Sequence, residues 1–220
     1  MTQAELKNWI NNSVLSSIWQ KVSASQNSDA AHDTAHLLRV ALWTIKLSNN
    51  EVPKEEAVAA ALLHDLINIP KNHPDRSKAS QFSADAARPL LKDTGFSTEA
   101  IERIACAIRD HSFSRGAIPE SILGKALQDA DRLEALGAIG IMRVFSTGAR
   151  MDTKYFHEND PWAKDRALDD MKFSVDHFFT KLLKLPETFL TPLGKKEADY
   201  RANTLRDFLG KLSEEIGAPL

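Results

Sequence analysis

The chain has 220 residues, 43% of them hydrophobic and 26% charged, with a net charge of −2. That balance suits a globular chain with a substantial core, and it excludes the strongly basic surface that grips a nucleic-acid polymer or an anionic membrane. The single cysteine, Cys106, excludes an intrachain disulfide, and its setting in Ile104-Ala105-Cys106-Ala107-Ile108 predicts a buried, inert thiol.

The N-terminus lacks the basic-then-apolar pattern of a signal peptide, and no segment approaches the ~20 apolar residues of a membrane span. A cytoplasmic location is the expectation. Thr2-Gln3-Ala4-Glu5 has the spacing of a capping box, which predicts a helix to about Val22 with Leu6, Trp9, Ile10, Val14, Leu15, Ile18, Trp19 and Val22 inward. The polar stretch 23–29 is turn-like. A second helix is predicted over Ala30–Ser48, with His32 and His36 on one face that continues through Val40, Trp43 and Leu47. His36 then points into the core and His32 sits at the helix mouth. Asn49-Asn50 ends this helix, and Pro53 is placed to begin the next.

The third predicted helix ends by Ile69-Pro70 and carries Ala59-Ala60-Ala61-Leu62-Leu63-His64-Asp65-Leu66-Ile67. So apolar a stretch should be buried, yet it holds an imidazole and a carboxylate about 100° apart around the axis. A buried charge costs several kcal/mol unless something pairs with it, and a divalent ion would pair with both residues. A satisfied core histidine beside a capping carboxylate is the other reading. The loop after it, Pro70 to Lys78, holds Lys71, Arg76 and Lys78, which either grip phosphate oxygens or are simply solvated.

Ser80–Lys92 reads as helical, shortened or kinked by Pro89, with Thr94-Gly95 as a stop. Phe96-Ser97 resembles a hydrophobic staple and N-cap for a helix with Ile101, Ile104, Ala105 and Ile108 inward. His111 falls on the same stripe, and either satisfies itself on backbone or faces the cavity as a third imidazole. Pro119 to about Phe145 is predicted as one apolar helix with Leu123, Leu127 and Ala130 inward and Asp131 on or beside that stripe. The stretch 146–165 is a long loop, a length often functional, for example as a lid. Helical spacing resumes from Arg166 through Met171, Val175, Phe178, Phe179, Leu182 and Leu183. A last helix, Lys195–Ile216, turns Tyr200, Leu205, Phe208, Leu209 and Leu212 inward. No segment alternates with period two. The expected fold is all-α and a single domain over 1–220: an N-terminal helix in 1–25, a metal-binding core in 30–145, the loop 146–165 and C-terminal helices in 166–217.

Three predicted helices thus place a polar group on a face that should be buried: His36, the pair His64-Asp65, and Asp131. Two imidazoles and two carboxylates form a ligand set for a divalent ion such as Mn²⁺, Mg²⁺, Co²⁺, Ni²⁺ or Zn²⁺, with manganese foremost.

His36, then His64-Asp65, then Asp131 resembles the H…HD…D pattern of the HD-domain metal-dependent phosphohydrolases. The surroundings resemble a bacterial branch of that family: His32-Asp33-xx-His36-xx-Arg39-Val40, Ala61-Leu62-Leu63-His64-Asp65, Gln128-Asp129-Ala130-Asp131-Arg132-Leu133, Gly137-Ala138-Ile139-Gly140, and His177-Phe178-Phe179-Thr180-Lys181-Leu182-Leu183-Lys184-Leu185. The similarity runs from about residue 30 to 210. It implies an all-helical fold, one divalent ion held by His36, His64, Asp65 and Asp131, and hydrolysis of a phosphoester or phosphoanhydride. Within the similar branch, nucleoside triphosphate pyrophosphohydrolases release a monophosphate and pyrophosphate. A 5′-nucleotidase or a non-catalytic nucleotide- or metal-binding module is the alternative.

On this reading Asp65 is catalytic through the ion, His32 or His111 serves as general acid or base, and Lys71, Arg76 and Lys78 steady phosphates. Only His73 and His111 lie between the His-Asp pair and Asp131, which favours one ion over a binuclear centre. The expected partner is a small phosphorylated molecule, a nucleotide foremost. A second copy of the chain is compatible with this composition.

Overall fold

The computed structural model describes residues 1–25, 34–69, 73–112 and 115–220. The regular elements among them are helical, in keeping with the all-α expectation: α1 Gln3–Asn11, α2 Ser16–Ser25, α3 Thr34–Leu47, α4 Lys54–Leu63, α5 Ala79–Asp93, α6 Thr98–Asp110, α7 Ile122–Leu133, α8 Gly137–Arg150, α9 Asp176–Thr180 and α10 Pro192–Glu215. Extended pairing is confined, among these residues, to one isolated bridge between Lys154 and Phe173. Contacts within the chain define two compact units, Met1–Asp131 and Arg132–Leu220.

In the first unit, α4 is the buried element. Glu56 through Leu63 are all shielded, and α3 and α6 both pack against it. Alanines at 57, 59, 60 and 61 leave little side chain between the helices, while Leu62 and Leu63 fill the gaps. Truncating either leucine to alanine in so closed a setting costs about 2–5 kcal/mol. The one carboxylate on this helix that is buried is neutralised locally: Arg103 of α6 donates from Nε to Glu56 Oε2 at 3.0 Å and pairs Nη2 with Oε1. The capping box forms as expected, with Thr2 N on Glu5 Oε2 at 2.8 Å and Glu5 N on Thr2 Oγ1 at 3.2 Å. Ser97 caps α6 by accepting from Ala100 N, and Gly95 takes the left-handed φ of +83° that closes α5. Pro89 is carried inside α5, which continues to Asp93.

Several expected elements differ. The helix predicted to Val22 breaks at Asn12–Leu15, where Asn12 Nδ2 donates to Asn8 O, Ser13 Oγ donates to Ile10 O and Leu15 N donates to Ser13 Oγ. Short polar side chains there compete for the backbone groups that a continuous helix would use. Val14, expected inward, is 54% exposed in that break. The helix predicted over 119–145 is two helices, because Leu136 is extended and Gly137 has φ +67°, a conformation open to glycine without strain. A Cβ on Gly140 would meet Ala135 O, so the same bend needs a second glycine.

The long loop therefore begins only after Arg150, and the segment 166–175 is not helical. Arg166 forks onto the fully buried Asp176 carboxylate, which also accepts from Asp169 N, and those bonds hold the chain in an irregular path. The only regular structure in the stretch expected to be helical is α9 and a 3-10 turn over Leu182–Thr188. Finally, Tyr200 is 70% exposed; the buried stripe of α10 keeps the expected Leu205 and Leu209 and runs through Gly194, Ala198 and Ala202. Cys106 is half-buried rather than buried.

Candidate metal centre

Helix α4 stops six residues short of its predicted end, so His64 and Asp65 lie in the turn that follows it. Ser83 of α5 draws the chain out of the helical path: its Oγ accepts from Ile67 N at 3.0 Å and stands 3.3 Å from Ile67 O. His64 is the C-cap of α4, and His111 is the C-cap of α6. A helix end leaves carbonyls without intrahelical donors, and each ring supplies one. His64 Nδ1 donates to Ala61 O at 2.8 Å, and His111 Nδ1 donates to Ile108 O at 2.6 Å. In a neutral ring the proton on Nδ1 leaves the lone pair on Nε2. When neutral, both rings therefore aim an acceptor away from their own helix.

His36 comes from α3 and Asp131 from α7. His36 Nε2 stands 3.8 Å from Asp131 Oδ1, and His64 Nε2 stands 3.7 Å from the same oxygen. His64 Nε2 is 3.6 Å from Asp65 Oδ2, and His111 Nε2 is 3.8 Å from Asp65 Oδ1. The rings touch, with centroids 5.4 Å apart for His36–His64 and 5.1 Å for His64–His111. The imidazoles are 0–3% exposed, whereas the Asp65 and Asp131 side chains are 37% and 31% exposed. Nitrogen donors thus form the floor and carboxylates the rim.

The electrostatics are those of a cation site. Burial alone would push the His64 pKa down, but the adjoining Asp65 and Asp131 carboxylates overcome it and lift it to about 9. Burial would raise the Asp131 pKa, yet its contact with His64 and the nearby His36 and His111 rings hold it well below the usual carboxylate range. Asp65 is held low in the same way, burial opposing and His64 prevailing. Burial and the neighbouring His64 charge push the His111 imidazole down. The C-terminal ends of α4 and α6, each carrying a partial negative charge, add to the attraction for a cation.

The spacing fits an ion as well. Oxygen and nitrogen ligands about 2.1 Å from a divalent ion stand roughly 3.0 Å apart when adjacent in an octahedron and roughly 4.2 Å apart when opposite. Two sets, His36-His64-Asp65 and His64-His111-Asp131, bring their ligand atoms within 4.8 Å of one another. His64 Nε2 is buried without a hydrogen bond, as a ligand atom awaiting an ion would be.

Of the residues selected from the sequence, His36, His64, Asp65, His111 and Asp131 meet here. His32 and Lys71 lie outside the described residues. Arg76 and Lys78 are engaged within their own loop: Arg76 Nη1 donates to Asn68 Oδ1 and Ile69 O, and Lys78 Nζ pairs with Asp75 Oδ1 at 2.8 Å. Two residues that position the site were not singled out as such. Ser83 pins the turn after Asp65. Gln128, buried on α7, donates to Asp110 O and Ala117 O and so ties both sides of the segment that follows His111. A serine and a glutamine on inward faces were the available signals.

An all-helical chain with a buried His/Asp cluster of divalent-ion type has known counterparts. Residues 34–136 match the HD domain. The chain is 33% identical over 196 residues to the uncharacterised protein YpgQ of Bacillus subtilis, covering 86% of this chain and 87% of that one. The crystal structure of YpgQ in complex with ADP superposes with a TM-score of 0.70 at 26% identity, covering 91% of this chain and 97% of YpgQ. An HD-superfamily hydrolase from Bacillus thuringiensis superposes with a TM-score of 0.70 at 28% identity, covering 99% of this chain and all of the other. The chain belongs to the HD-domain family. No helix among the described residues is long and apolar enough to cross a membrane.

Proposed function

We propose that this HD-family hydrolase is a nucleotide pyrophosphohydrolase that holds one divalent ion, manganese foremost, on His36, His64, Asp65 and Asp131. The observation that carries this reading is the layered cluster itself, buried imidazoles under two half-exposed carboxylates, at separations too long for direct hydrogen bonds and suited to a shared ion. The ADP complex of YpgQ supports a nucleotide as the ligand class.

An ion bound there would acidify water and neutralise charge on a phosphoryl group. The protein's residues do the rest. His64 and His111, fixed through Nδ1, keep the floor rigid, and Asp65 and Asp131 at the rim leave the outer side open to phosphate oxygens. Water adds its oxygen to the α-phosphorus, the bridging bond to the β-phosphate breaks, and pyrophosphate leaves. The proton lost by water goes to His32 or His111, and Lys71, Arg76 and Lys78 steady the leaving phosphates, Arg76 and Lys78 by exchanging their loop partners for substrate.

The test is a hydrolysis screen with Mn²⁺, Mg²⁺, Co²⁺, Ni²⁺ or Zn²⁺ over ribo- and deoxyribonucleotides, products separated by chromatography. Monophosphate and pyrophosphate are expected. Nucleoside and orthophosphate would mean a nucleotidase, and nucleotide binding without turnover under any ion would mean a binding module. Asp65→Ala is expected to lose ion retention together with activity, the latter by about a thousandfold or more, since the ion contributes several kcal/mol. A D65A protein that keeps both overturns the assignment.

A further inference from the structure

We infer that His111 is a third imidazole ligand of the same ion, which leaves His32, of the two histidines proposed above, to take the proton from water. This rests on the metal reading above. Three observations point to it. First, His111 is built like His64: each sits at a helix C-cap, donates Nδ1–H to the carbonyl three residues back, and presents Nε2 to the cluster. Locking one ring nitrogen on a carbonyl so that the other keeps its lone pair is what metal-ligating histidines do.

Second, the stand-off distance is that of a ligand pair. His111 Nε2 lies 3.8 Å from Asp65 Oδ1, within the 3.6–3.8 Å range of the three imidazole–carboxylate pairs made by His36 and His64. A histidine placed to bind a carboxylate directly closes to hydrogen-bond length, as His177 does on Asp170 at 2.8 Å in the second unit. The His111–Asp65 pair has not closed, and the hydrogen bond from Nδ1 to Ile108 O holds the ring at that stand-off. The gap is too long for a hydrogen bond and right for two atoms bound to one centre.

Third, the donor atoms of His64, His111 and Asp131 are gathered as tightly as those of His36, His64 and Asp65. Both sets use His64, whose Nε2 has one lone pair and binds one ion at a time. The two sets therefore describe one centre, with His111 inside it. Three imidazoles beside two carboxylates would favour the later transition ions over Mg²⁺, which prefers oxygen.

The test uses the full-length protein and Co²⁺. In the wild-type proton spectrum, three hyperfine-shifted, exchangeable imidazole N–H signals are expected, from His36, His64 and His111; two signals would overturn the inference. Calorimetry should show Co²⁺ binding to His111→Ala weakened by at least about tenfold while Mg²⁺ binding changes less. Added imidazole, filling the space the ring left, should restore the wild-type visible spectrum of bound Co²⁺. A folded H111A protein that binds Co²⁺ with wild-type affinity and spectrum refutes the role of His111 and leaves the four-residue site standing. Failure of the wild-type protein to bind any divalent ion refutes the four-residue site with it.

Discussion

Each unit holds a cluster of charged groups, and the two clusters are built differently. In the second unit, Asp176 is fully buried and fully used: Arg166 Nη1 and Nη2 reach its oxygens at 2.6 and 2.7 Å, and Asp169 N donates at 2.7 Å. In the first unit, Asp65 and Asp131 face imidazoles across 3.6–3.8 Å, and no pair closes. Polar groups kept for stability are satisfied by the protein, since an unpaired buried charge costs several kcal/mol. On the proposed function, the open pairs of Asp65 and Asp131 are the ones a bound ion would close. Net charge and composition are blind to this distinction; only distances reveal it.

The contrast can be broken most forcefully at Asp176. Replacing it with asparagine leaves Arg166, 17% exposed, facing a neutral partner and weakens the anchor of 166–175. Breaking one side of a buried pair costs about 3–5 kcal/mol, or roughly 6–20 °C in Tm for a chain of this size. Differential scanning calorimetry should show that loss while the ion affinity of the folded protein, read by titration calorimetry, stays at wild type. Equal losses in both would mean that the two kinds of cluster are not separable.

A second way to sharpen the contrast is pH. The His64 pKa in the ion-free site is about 9, above the ordinary imidazole value of 6.5, so below pH 9 an ion must displace a proton from Nε2. Ion affinity should then rise about tenfold per pH unit up to pH 9 and level off, with close to one proton released per ion in calorimetry across buffers of different ionisation heat. For the ion-free protein the sign runs the other way. A raised folded-state pKa stabilises fully below pH 6.5, and that stabilisation disappears as pH rises through 9. Ion-free Tm should fall over that window and ion-loaded Tm should not. A flat affinity profile between pH 6.5 and 9 would show that His64 carries no proton to displace.

How far the sequence foretold this depends on whether a signal was local. His36, His64, Asp65 and Asp131 were legible because each interrupts an apolar run with a group that burial penalises. The helical class was legible from periodicity, and the capping box from its spacing. The break after α1 was not, because Val14 continues the apolar period while Asn12 and Ser13, unremarkable in a surface helix, capture the backbone. The irregular path of 166–175 was not, because Arg166 and Asp176 are far enough apart in sequence that no helical period predicts their pairing. Tyr200 misled through its aromatic body; Ala198 and Ala202, small and silent in a hydrophobicity reading, carry the stripe. His111 was legible as lying on the inward stripe, but the choice between a backbone-satisfied ring and a third imidazole at the cavity stayed open, since its orientation is set by where α6 ends; in the structure it is both.

The smallest expected effect tests how the ion-ready geometry is held. Ser83 is fully buried, and its hydroxyl serves both the amide and the carbonyl of Ile67, two residues beyond Asp65. Removing it with Ser83→Ala takes away a net hydrogen bond and leaves a part-buried amide without its acceptor, a cost of about 1–2 kcal/mol. If stability were its only role, ion binding would be untouched. Because the bond is what takes the chain out of α4 and turns Asp65 toward His64 and His111, ion affinity should also drop several-fold, with the enthalpy of binding less favourable. Ser83→Thr, which keeps the hydroxyl, should recover most of the affinity if the extra methyl is accommodated. A loss of stability in Ser83→Ala with ion affinity unchanged would show that Asp65 is placed by the helix end alone.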